Sequence, residues 1–169
     1  MPDWLTFAWM PSGQLQHELR ILLHLVSKGD PTKLDYRPTP TQRSLLELLQ
    51  YLTRFGPIRL RTIKVGVWDM DVWRDTWRTQ EAAAKGRNLE QIKDALGAQS
   101  ASFVELLGSI SDADLRSEME MFGSKASRGS WLVWMVLCHY VAYRMQLFLY
   151  LNAPNPPRPD YRRQFDTSK

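Results

Sequence analysis

The stretch "HYVAYRMQLFLYL", His139 to Leu151, decides how the rest of the chain is read. It is apolar for nearly its whole length, yet His139, Tyr143, Gln146 and Tyr150 recur within it at helical spacing. At about 100° per residue, with His139 at zero, Tyr143 falls at about +40°, Gln146 at about −20° and Tyr150 at about +20°. The four therefore share one face of a helix. Trp134, Val141, Met145 and Phe148 lie opposite them, and Arg144 stands about 140° away. A helix that is apolar almost all round belongs in the centre of a bundle or against a partner subunit.

The run from Trp131 to Leu151 is also long enough to cross a membrane. However, His139, Arg144 and Gln146 fall near its middle, and one arginine at mid-bilayer costs about 2.5–3.5 kcal/mol. No second apolar span is present to shelter it. The sequence thus predicts a bundle helix and no membrane anchor.

Working outward, three more segments carry a period near 3.6, and none alternates cleanly as a strand. The first is "GQLQHELRILLHLVSKGD", with Leu15, Leu19, Leu22 and Val26 as its inner stripe and Gly29-Asp30-Pro31 as its stop. His17 and His24 lie about 180° from that stripe, so they face solvent and are discounted as ligands. The second is announced by "TPTQ": Thr39 as N-cap, Pro40 at the first helical position and Gln42 completing a capping box. Leu45, Leu48, Leu49 and Leu52 line its inner face, and Gly56-Pro57 is expected to end it. An irregular stretch follows, in which Asp69 or Asp71 caps a short helix with Trp73 and Trp77 stacked four apart. The third long helix holds Leu89, Ile92, Leu96, Phe103, Leu106 and Leu107. Ser111 and Asp114 then form a capping box, and the final helix starts near Gly129-Ser130. The expected fold is all-α, a four-helix bundle with an elaborated crossover between the second and third long helices. It spans residues 1–152, and residues 153–169 form a proline-rich polar tail that need not pack.

A chain of 169 residues, 44% apolar and 24% charged, suits one soluble domain with a single core. Its one cysteine, Cys138, excludes an internal disulfide and suits a reducing compartment. Cys138 does not face the same way as His139, so it is expected to be a small core residue and not half of a Cys–His nucleophilic pair. No basic segment precedes an apolar core near Met1, which points to a cytoplasmic protein. The net charge of +4 is modest. Basic residues gather in "RFGPIRLRTIK" and "RPDYRRQ", but no aromatic platform or recognition motif accompanies them, so they read as solvated faces and not as a nucleic-acid surface.

Three stretches carry a family likeness. "LDYRPTPTQRSLLELLQYL" (Leu34 to Leu52), "SDADLRSEMEMFGSKASRGSWL" (Ser111 to Leu132) and "HYVAYRMQL" (His139 to Leu147) together resemble the DinB-like superfamily of bacterial four-helix-bundle proteins. That resemblance implies a divalent metal such as zinc or nickel held by three histidines, with thiol-dependent transferase or isomerase activity in several members. Carried over by position, the ligands are Gln50, His139 and Tyr143, with Gln146 beside them in the pocket. Only one of the three is a histidine. A neutral glutamine oxygen is a poor substitute for imidazole at zinc or nickel, and a tyrosine must lose a proton of pKa near 10 before it ligates.

The expectation is therefore a DinB-like protein that has lost its metal site and its metal cofactor. It binds a small molecule or another protein, with Tyr143 hydrogen-bonded to Gln50 or His139. The alternative is a thiol-dependent transferase or isomerase with an altered metal centre, or with His139 and Tyr143 as acid–base groups. Seven tryptophans and the apolar last helix also predict a homodimer.

Overall fold

The computed structural model describes residues 9–153; the proline-rich tail expected after residue 152 falls almost wholly outside them. Its main helices are α1 (Trp9–Ser27), α2 (Leu45–Val65), α3 (Met70–Lys85) and α4 (Leu89–Gly108). A short α5 (Asp112–Arg116) leads into an antiparallel hairpin, β1 (Glu118–Met121) with β2 (Ser124–Ser127). The last helix is one rod in three parts: α6 (Arg128–Leu132), a π turn (Val133–Leu137) and α7 (Cys138–Leu151). α2 and α1 each pack on both α4 and α7, which closes a four-helix bundle, and α3 lies outside it against α2. The expected inner stripes are the core: Leu15, Leu19, Leu22 and Val26 of α1 and Leu45, Leu48, Leu49 and Leu52 of α2 are buried. His17 and His24 are exposed.

α2 departs from expectation at both ends. Its N-cap is Ser44, not Thr39: Ser44 Oγ accepts from Glu47 N at 3.1 Å and Glu47 Oε2 accepts from Ser44 N at 2.9 Å. A carboxylate at the third helical position suits the positive end of the helix better than the amide of Gln42 does. Arg37 then grips both oxygens of Glu47, at 2.8 and 2.7 Å, and fixes the choice.

Gly56-Pro57 does not end α2 either. Pro57 has no N–H to give to the carbonyl of Thr53, one turn back. Gln99 of α4 supplies the missing donor, its Nε2 reaching Thr53 O at 2.9 Å and Leu52 O at 3.0 Å. Its Oε1 accepts from the buried Tyr140 hydroxyl at 2.6 Å. Gly56 makes room for that ring, since a Cβ there would stand 2.1 Å from Tyr140 Oη. α2 instead stops at Gly66, in the left-handed region with φ of 77°. There the buried Arg128 donates to the carbonyls of Ile63 and Lys64, so a cation closes the negative end of the helix.

The hairpin was not foreseen, because four residues are too few for alternation to stand out. Met119 and Met121 point inward and Glu118 and Glu120 outward. The two-residue turn needs positive φ at both positions, and Phe122 (53°) and Gly123 (74°) provide it. Elsewhere the expected caps hold: Asp69 accepts from Asp71 N and Val72 N, and Ser111 forms its box with Asp114. Trp73 and Trp77 stack with ring centroids 5.0 Å apart.

Candidate functional site

The face of α7 that carries His139, Tyr143, Gln146 and Tyr150 turns toward α2, while Arg144 pairs with the buried Glu18 of α1. The π turn before it shapes the site. Cys138 N reaches back to Val133 O, five residues away, so the turn is widened and its carbonyls are open to side-chain donors. Met135 O accepts from Arg59 Nη1 at 2.9 Å, and Trp134 O lies 2.9 Å from His139 Nδ1. A carbonyl can only accept, so the proton sits on Nδ1 and Nε2 keeps its lone pair. Burial lowers the His139 pKa from its ordinary value and the nearby Arg59 adds to this, against the opposing pull of the Trp134 carbonyl. The imidazole is held neutral.

Tyr143 packs edge-on against Tyr51 and Phe55, with ring centroids at 5.1 and 5.3 Å, and its hydroxyl donates to Tyr51 Oη at 3.3 Å. Its ring lies 6.2 Å from that of His139. Burial, reinforced by the bond from Tyr143, pushes the Tyr51 pKa up to about 12. Tyr51 therefore stays a neutral phenol.

The other two expected residues have different partners. Gln50 is buried and its Nε2 donates to the carbonyls of Lys85 and Arg87, at 2.9 and 3.0 Å, tying α2 to the loop between α3 and α4. It makes no hydrogen bond to His139 or Tyr143, and Tyr51 takes the partnership expected of it. Gln146 donates to Tyr150 Oη at 3.1 Å, which in turn donates to Arg43 O at 3.2 Å. Cys138 is exposed and not a core residue, because it lies on the outward side of the rod.

The structure thus groups His139 and Tyr143 with Tyr51 and Arg59. Arg59 was missed because α2 was expected to stop at Pro57, and Tyr51 because its neighbour Gln50 was expected to meet Tyr143. Once α2 continues, Tyr51, Phe55 and Arg59 fall four apart on one face. The donors do not fit a tightly held zinc or nickel ion: one imidazole nitrogen is available, the two phenol hydroxyls are paired with each other, and the Gln50 amide is engaged elsewhere. Among the described residues no three histidine, cysteine or carboxylate side chains gather as ligands.

No family model matches the sequence, and no curated protein matches it. Among solved structures, the fold is similar to the crystal structure of YjoA, a DinB-like protein from Bacillus subtilis. The TM-score is 0.63 at 18% identity, over 83% of this chain and 88% of the other. This helical bundle has the DinB-like fold.

Proposed function

We propose that the chain is a DinB-like protein that has given up metal chemistry and works as a small-molecule-binding or interaction protein in a reducing cytoplasm. The observation that carries this is the engagement of two of the three family ligand positions. The Gln50 amide holds loop carbonyls and the Tyr143 hydroxyl holds Tyr51. What replaces a metal is a cluster of one imidazole and two phenols beside Arg59. A divalent ion bound there would raise thermal stability by mass action. Melting curves of wild type and His139→Ala, with and without zinc or nickel, test this. The expected result is no metal-dependent rise that His139→Ala removes; such a rise would restore the metalloprotein.

A second reading has one observation in its favour. With Nδ1 held by the Trp134 carbonyl, Nε2 of neutral His139 is free to accept a proton, as acid–base catalysis in a thiol-dependent transferase would require.

The protein also pairs with a second copy. Trp134, Val141, Met145, Phe148 and Leu149 are all exposed along one rod. Arg144, the one charged residue between Trp131 and Leu151, is turned away to Glu18. An apolar face without charge calls for an equally apolar partner, and a copy of the same face supplies one.

A further inference from the structure

A cleft of about 590 Å³ lies between α2 and α3, apart from the His139 cluster, none of whose members lines it. Its walls are rows of side chains four residues apart, Thr53, Pro57, Arg61 and Val65 on α2 and Val72 and Thr76 on α3. Such rows run along a helix, so the wall from Thr53 to Val65 is about 18 Å long. An α-helix of that length, about 10–12 Å across, would need roughly twice this volume or more. The space suits a small molecule and not a partner's helix.

Contacts between the two helices hold the gap open. Arg54 Nη2 donates to Glu81 at 2.9 Å, and its guanidinium lies over the Trp77 ring at 4.4 Å. Trp77 also packs on Tyr51 of α2, with ring centroids 5.8 Å apart, and Gln50 holds the far end of α3 through the Lys85 carbonyl. α3 rests on α2 at these points, and Ala84 in its last turn is its only buried residue. Closing the cleft would mean displacing the Arg54–Glu81 pair and the Trp77 ring. Val65, Val67 and Val72 line it and are still 63–70% exposed.

The charges on the walls cancel. Arg54 belongs to Glu81, which leaves Arg61 and Asp69, one of each sign and both exposed. Asp69 is also engaged in capping α3, accepting from Asp71 N and Val72 N. An ion entering would meet a like charge with each opposite one, and would lose water for no net gain. The two helices run antiparallel, so the three valines share one end of the cleft, and Thr53 and Gln80 share the other.

We propose that this cleft binds an uncharged, elongated and largely apolar small molecule. Its chain lies along Pro57 and the valines, and its polar end, a hydroxyl or amide, lies toward Thr53 and Gln80. Removing the valines from water drives the binding, and the neutral lining selects against ions. The inference goes beyond the reading above, because it places a ligand away from the family ligand positions, and the metal titration does not bear on it.

Calorimetry of the full chain with 1-decanol, decanoate and decylammonium tests this. Wild type should bind decanol at least tenfold more tightly than either ion. Thr76→Trp fills the middle of the cleft from an exposed position on α3 and should weaken decanol at least tenfold. Arg78→Trp adds the same ring on α3 outside the cleft and should leave decanol within a factor of two. Val72→Thr, which keeps the shape of the wall and makes it polar, should weaken decanol several-fold. Equal affinity for decanol and either ion, decanol binding indifferent to Thr76→Trp, or no binding up to the solubility limit of decanol would each overturn the proposal.

Discussion

The surroundings of His139 shift its titration, and that makes it visible in solution. Burial and Arg59 lower its folded pKa beneath the ordinary value of 6.5. The unfolded chain therefore binds the proton more readily than the folded one. The stability this contributes is present above the unfolded pKa and is lost as pH falls through the folded pKa. Wild type should lose stability between pH 7 and pH 5, and His139→Gln should lose less over the same window. Denaturation midpoints across that range measure it; parallel pH profiles would show that His139 is not held neutral. Single residues were the least legible scale in the sequence. The wheel placed His139 and Tyr143 on one face, but a wheel gives direction and not partner. Whether Gln50 or its neighbour Tyr51 meets Tyr143 depends on how α2 rolls against α7. That roll is set by distant contacts such as Gly56 against Tyr140.

At the scale of elements, caps and inner stripes could be read because both are local. The Ser111 box, the Asp69 cap and the buried leucines each depend on residues within one or two turns. The failures at Pro57 and at the π turn share one cause, a remote partner. Pro57 breaks a helix only when nothing replaces its missing donor, and Gln99, more than forty positions later, does so here. Gln99→Leu should leave Thr53 O and the Tyr140 hydroxyl without partners, at roughly 1–3 kcal/mol for each buried group. Pro57→Ala restores a backbone donor to Thr53 O. The cost of Gln99→Leu should therefore be smaller in a Pro57→Ala background, by about 1 kcal/mol or more in a double-mutant cycle. Urea unfolding of the four proteins measures this. Strict additivity would mean that Gln99 does not stand in for the proline's lost N–H. The π turn was hidden for a similar reason: the sequence "VWMVL" fits an α-helix equally well, and the widened turn is tied to Arg59 on another helix.

The whole molecule leaves one face unexplained unless it meets another surface. Trp134, Cys138, Val141, Met145 and Phe148 follow one another at steps of four, three, four and three, the spacing of a seam between paired helices. Trp134 is 54% exposed, Met145 49% and Phe148 47%, far from the interior position that an apolar helix implies. Taking side chains of this size from full exposure to full burial stabilises by roughly 1.5–3 kcal/mol each, and about half of that is left to gain on pairing. At about 1.5 Å per residue the seam from Trp134 to Phe148 runs about 21 Å, enough for two rods to lie along one another. Met145→Glu would put a charge into it without touching the monomer core. Wild type should sediment as a dimer at micromolar concentration, and Met145→Glu as a monomer with unchanged helicity. Cys138, exposed in the single chain and set in the seam, supplies an independent readout. Its thiol should react slowly with an alkylating reagent in wild type and much faster in Met145→Glu. A wild-type monomer whose Cys138 reacts as fast as the variant's would remove the dimer. If that monomer also sedimented with lipid vesicles, the same apolar face would belong to a membrane surface and not to a second copy.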